Sequence, residues 1–248
     1  LTTSATNADI ILNNANAFTG AVALNTTGSS GNATVVDASG LNLAASTVGG
    51  NLVATATTGN ISDSGNLAVT GTSSFTTSAT NADIILNNAN AFTGAVALNT
   101  TGSTGHATVV DASGLNLAAS TVGGNLIATA TTGNMEDSGV LTIAGTSSFT
   151  TSANNADITL NNANAFTGAV SLNTTGSSAH ATVVDASGLN LAASTVGGNL
   201  VATATTGDIV DSGNLTITGT STFTTRADGS NIILDSSGNA FSGAVILQ

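Results

Sequence analysis

The sequence contains no cysteine, proline, tryptophan, tyrosine or lysine, and Arg226 is its one strongly basic side chain. Without cysteine no disulfide framework can staple the fold. Without proline, and with no Gly-X-Y period, a collagen helix is excluded. One arginine cannot neutralise a row of phosphates, so sequence-reading nucleic-acid binding is not expected. Charge of either sign is scarce: 6% of residues are charged, against about 25% in ordinary domains. Of these, 13 are Asp or Glu, giving a formal net charge of −12. Long apolar runs are missing too. The apolar runs are only a few residues, such as Ile10 to Leu12, and fall far short of the roughly 20 residues that span a bilayer. The start, LTTSATNADI, has no basic region followed by an apolar stretch, so it does not read as a signal peptide. The signal was removed, or the chain is an internal piece.

What is present is small. Thr 44, Ala 41, Gly 29, Asn 29 and Ser 28 account for 171 of the 248 residues. Such bias invites a reading of disorder. Yet 41% of residues are hydrophobic and the mean hydropathy is positive, so there is apolar surface to bury.

Self-similarity organises the chain. TTSATNADIILNNANAFTG begins at Thr2 and returns at Thr76, with a close variant at Thr150 and a diverged copy at Thr224, each start 74 residues after the last. We read 1–248 as one segment containing repeats 2–75, 76–149 and 150–223 and a partial copy, 224–248. The first two copies match at 65 of 74 positions. Their differences alternate. Ile61 becomes Met135 and Ile209, while the adjacent Ser62 becomes Glu136 and Val210. One set stays apolar and the next varies freely, as in strands with one buried face.

Strand candidates fall at 51–56, 60–63, 66–70, 74–79, 83–88, 91–98, 107–111 and 115–119. No helix of useful length fits between the Gly, Asn, Ser and Thr residues. Asn-Gly, the strongest hairpin signal, is absent, and Asp-Gly occurs once, at Asp228. A near-identical long repeat suits a stack of coils better than a closed sandwich. The fold expected is therefore all-β: a right-handed parallel β-helix, a solenoid with about three coils per 74-residue repeat. Matching strands at Leu52, Phe75, Val96 and Leu126 set steps of 23, 21 and 30, allowing a strand-phase offset of one. Four shorter coils per repeat is the runner-up. Three sheets would meet around a narrow core, with Phe18, Phe75 and Phe92 filling its wider places.

The phrases STVGGNLVATATTG from Ser46, NNANAFTGAVALNTTG over 87–102 and SGNLTITGTSTFTT over 212–225 resemble a known family. They are similar to the β-helical repeat regions of giant bacterial adhesins of the filamentous haemagglutinin type, secreted by two-partner or autotransporter routes. The resemblance spans essentially the whole chain and implies an extracellular or cell-surface shaft. It carries over no receptor, secretion domain or anchor.

Candidate chemistry is sparse. Three acidic series recur: Asp9, Asp83 and Asp157; Asp37, Asp111 and Asp185; Asp63, Asp137 and Asp211. Calcium needs six to eight oxygens, usually clustered in sequence, and only Glu136 and Asp137 are adjacent. Asp63-Ser-Gly and Asp111-Ala-Ser-Gly read instead as turns in which the side chain bonds its own backbone. His106 and His180 take the place of Asn32, which points to a surface turn and not a metal ligand. The hydroxyls lack a G-x-S-x-G frame, and a sugar groove would want aromatic platforms. No catalytic, cofactor-binding or metal residue is expected, and no cofactor.

The function expected is a structural shaft without catalysis. The alternative is a surface-binding module that takes a glycan, ice or a neighbouring fibre. Thr-rich strands at 54–58 and 128–132 motivate it, as do predicted outward positions Ile11, Ile85, Thr159 and Ile233. Leu1 occupies the Phe75 place and Gln248 falls inside a fourth copy, so neither end carries a polar cap. The partners expected are the continuing chain or another copy end to end, and neighbouring fibres laterally, with no nucleic acid and no membrane insertion.

Overall fold

The computed structural model describes residues 1–248. It contains 29 strands and no helix. Every strand pair between turns is parallel, and 145 backbone hydrogen bonds tie the chain together. Because there is no proline, every backbone N–H is available to that ladder. The chain coils as a β-solenoid. Ile10 pairs with Ala33, Ala33 with Leu52, Leu52 with Ser73 and Ser73 with Val96, so the sequence advances by 23, 19, 21 and 23 from turn to turn. The anticipated phase was two residues off: Phe75 stacks on Ala54, not Leu52. The 30-residue step does not exist, because the next turn enters at Leu117, opposite Val96. It was hidden because Leu115–Leu117 and Ser120–Val122 are three residues long and separated by a bend.

The strands form two continuous stacks, of 14 and 15 strands, instead of three sheets. Each turn of the chain passes once through each stack. Along the first stack, eleven steps lead from Ile10–Asn16 to Val245–Leu247, a rod of about 53 Å at about 4.8 Å per step.

The expected three coils per repeat become three and a half. Seven steps of one stack lead from Ile10 to Ile158, two repeats further along. One repeat is thus seven half-turns, an odd number. Equivalent strands of successive repeats therefore lie in opposite stacks. Ile10–Asn16 is in the first, its copy Ile84–Phe92 in the second, and Ile158–Phe166 back in the first.

The seven half-turns are of two kinds. Four are straight: Ala33–Asp37, Leu52–Ala56, Ser73–Thr80 and Val96–Thr101 follow one another in the first stack. Three are bent, such as Ile61–Asp63 with Leu67–Val69. The bent arms of one repeat sit in the stack opposite its straight ones.

Burial alternates along the straight arms, as in Leu52, Ala54 and Ala56 inward with Val53 outward, with Thr203 an exception and the terminal arm Val245–Leu247 exposed throughout. Inward residues from both stacks form a single core of 49 residues. Ile61, Met135 and Ile209 are all buried, as their apolar-only variation requires. Small residues stack against large ones, with Ala54 below Phe75 and Phe75 below Leu98. Phe75 from one stack meets Phe92 from the other edge to face, at 5.9 Å and 70°. Phe149 with Phe166 and Phe223 with Phe241 repeat the contact. Phe18, in contrast, packs only partly buried at the edge of the core.

Candidate functional site

The polar side chains fall into three settings, each built by the repeat. The first is a corner. There, Asn60 Oδ1 accepts the N–H of Asp83 one turn on, at 2.8 Å. Asp83 Oδ1 accepts the N–H of His106, His106 Nδ1 that of Asn125, and Asn125 Oδ1 that of Thr146, all at 2.8 to 2.9 Å. Five turns are thus linked by four side chains that each take the next turn's corner N–H. Asp9, Asn32 and Asn51 build the same ladder in the first repeat, and Asp157, His180 and Asn199 in the third. An imidazole can replace Asn32 because its Nδ1 presents an acceptor where the amide oxygen did. The acceptor role assigns the ring proton to Nε2. Gly124 lies beside that ring, and a Cβ there would collide with Nδ1.

A neighbouring turn uses backbone geometry as well. Asn81 adopts φ 66°, a left-handed conformation that Asn tolerates better than most residues. Its Oδ1 accepts the N–H of Thr104 on the next turn at 3.1 Å.

The second setting is the junction between bent and straight arms. A bend carries strand pairing away and orphans backbone N–H groups, which cost free energy if buried unpaired. Ser120, just after a bend, accepts the N–H of Leu98 at 3.0 Å and donates its hydroxyl to Ala118 O at 2.8 Å. Asn90 Oδ1 accepts the N–H of Leu67 at 2.8 Å. Asp111 Oδ2 accepts the N–H of Phe92 at 3.1 Å, while its Oδ1 accepts the N–H and hydroxyl of Ser113. The series Asp37, Asp111 and Asp185 therefore makes the anticipated turn within its own segment and serves a second turn besides. Burial pushes the Asp111 and Asp185 carboxyls above the ordinary 3.8, against the lowering pull of their hydrogen bonds.

Asp63 differs from its sequence reading. Its carboxylate does not close its own Asp-Ser-Gly turn. It accepts the N–H groups of Asn87 and Asn88 and the Nδ2 of Asn90, a turn further on. Asp137 and Asp211 repeat this with Asn164 and Asn239. Partners so far apart in sequence leave no local signal of the pair.

The third setting is the outward face of the straight arms. Its strand positions carry Thr, Ser, Ala, Asn, Val and Ile, and exposed Arg226 follows directly on Ser221–Thr225. Near its centre in successive repeats stand Val53, Ile127 and Val201, exposed to 41%, 49% and 37%. The predicted outward positions behave as expected at Ile11 and Ile233, which are exposed, while Ile85 and Thr159 are half-buried. Ile11, Thr34 and Val53 line a shallow depression of about 320 Å³. A second, of about 300 Å³, lies at Thr93, Asn116 and Glu136. No three His, Asp or Glu residues gather closely enough to hold a metal ion. No helix is long and apolar enough to cross a membrane.

Known proteins add a family to this geometry. Residues 30–99, 104–173 and 178–248 each match the family described as Repeats of unknown function (DUF5649). Together these cover more than four fifths of the chain, and the chain belongs to that family. Successive matches start one full repeat apart, and each begins just before a block of four straight arms. No curated protein and no solved structure matches the chain.

Proposed function

We propose that the chain is a structural shaft: a section of an extracellular or cell-surface fibre whose repeats supply length and stiffness without catalysis or a cofactor. One observation carries this reading. The Asp, Asn and His side chains of the corner ladders, with Asn90 and Asp111 at the bends, are consumed in joining one turn to the next, so each added repeat extends the rod by about 17 Å without shaping a new cavity. The surface location rests on the resemblance of the repeat phrases to filamentous haemagglutinin-like adhesins. Solution scattering on chains of two, three and four repeats tests the shaft, with the longest dimension expected to rise by about 17 Å per repeat. A constant dimension would overturn it. Protease shaving of intact source cells tests the location, and protection of the protein until lysis would overturn that part.

A further inference from the structure

The net charge of −12 has a definite place in the fold. Asp9, Asp83, Asp157 and Asp208 sit in corner ladders, Asp63, Asp111 and their copies are buried at bends, and Glu136, Asp228 and Asp235 are exposed outside the straight-arm strands. The outward strand positions of the straight-arm blocks are left neutral, with exposed Arg226 directly after Ser221–Thr225 as the one charge at the edge of the later block. Two such faces would meet without like-charge repulsion, which a rod of this composition would otherwise impose at every approach.

We propose that these neutral blocks are lateral docking surfaces for a second copy of the same chain. The geometry suits an isologous pair. The first stack presents one block over Ala33 to Thr101 and another over Ala181 to Leu247. A second copy turned about a two-fold axis lays its later block on the earlier block of its partner, and the reverse. Val53 of each then lies against the region of the partner subunit's Val201.

Area sets the strength. Four arms of five residues cover about 320 Å², from about 4.8 Å between strands and about 3.3 Å per residue. Two blocks therefore offer about 640 Å² per partner, just below the roughly 800 Å² of a standard stable interface. Association of this chain is weak, and it strengthens in longer rods as blocks are added. The odd number of half-turns makes the surface two-sided. The block from Ala107 to Thr175 faces the opposite way, so a paired rod still offers a neutral face to a third.

The test is sedimentation velocity with solution scattering across a concentration series of the full chain. A reversible dimer with increased cross-section and the monomer's length is expected. The V53K/V201K variant should weaken it at least tenfold. N66K adds a lysine at an exposed residue on a bent segment of the opposite stack, and should leave association unchanged. Circular dichroism confirms that each variant keeps its strands. A chain that stays monomeric at every concentration overturns the proposal, as does a dimer of doubled length, or equal weakening by N66K. The shaft reading is judged separately, on the length of the monomer.

Discussion

His106 Nδ1 accepts the backbone N–H of Asn125, one turn further along, at 2.8 Å. Asn32 does the same for Asn51 at 2.8 Å. An imidazole and an amide are interchangeable here because the ladder requires an acceptor at one point in space and nothing more. His106→Asn should therefore leave stability within about 0.5 kcal/mol of the parent, the scale of neutral surface changes. His106→Ala should cost about 1 kcal/mol, the net worth of one hydrogen bond. Urea unfolding of the two variants checks this. Equal loss in both would show that the ring contributes by packing and not as an acceptor.

Part of this fold was legible from residue alternation. Ile61, Met135 and Ile209 announced an inward position by varying only among apolar types, and all three are buried. The constant repeat step announced stacking. The number of half-turns was not legible, because a repeat closes on its own sequence whether it makes three turns or three and a half. Short arms such as Leu115–Leu117 are too brief to show a period. Asp63 and Asn90, far apart in sequence, meet only once the coil is wound. Asp111 was readable in part, since Ser113 lies two residues on while Phe92 belongs to another turn.

The buried hydroxyls of Ser73, Ser147 and Ser221 have no hydrogen-bond partner. Each points inward on a straight arm, Ser147 next to Leu126 on one side and Val170 on the other. An unpaired buried hydroxyl carries a desolvation cost with no return. Ser147→Ala should therefore stabilise the chain by about 1 kcal/mol. Ser148→Ala, on the outward side of the same strand, serves as the control and should change little. A destabilised Ser147→Ala variant would contradict the assignment of that hydroxyl as unpaired.

Burial outweighs hydrogen bonding at Asp111 and Asp185, so their carboxyls bind protons more readily folded than unfolded. A raised carboxyl favours the folded state in acid. That contribution is full below the unfolded value, near 3.8, and is lost as pH rises through the folded one. The parent should therefore gain stability relative to the D111N/D185N variant as pH falls from 7 toward 4. Paired urea melts at several pH values measure the difference. A parent that loses ground on acidification would mean that the bonds from Ser113 and Phe92 dominate instead.

The edge-to-face contact of Phe149 and Phe166, 5.8 Å apart, joins the two stacks within the core. Phe149 is fully buried, and its truncation leaves a void between stacks that backbone pairing prevents from collapsing. Phe149→Ala should cost about 3–5 kcal/mol. Because each turn of a solenoid contacts only its neighbours, the loss should be local. Hydrogen exchange should accelerate in arms around Ser147–Asn154 and Ile158–Phe166 and stay slow near Leu52–Ala56. Uniform acceleration would mean that the rod unfolds as one unit.

The half-turn offset can be read directly, because a chain without cysteine accepts labels only where they are placed. Val53 and Ile127 are equivalent residues one repeat apart, both exposed, in opposite stacks. Spin labels on V53C/I127C should point away from each other across the rod. Three whole turns would instead put them on one face about 14 Å apart. V53C/V201C spans two repeats and returns to one face, at about 34 Å for seven turns. Deleting 76–149 removes one repeat and leaves each junction unchanged in sequence. It should rotate everything downstream by half a turn, moving the labels at 53 and 201 to opposite faces. If they stay on one face after the deletion, the repeat makes a whole number of turns and the two-sided arrangement of neutral blocks falls with it.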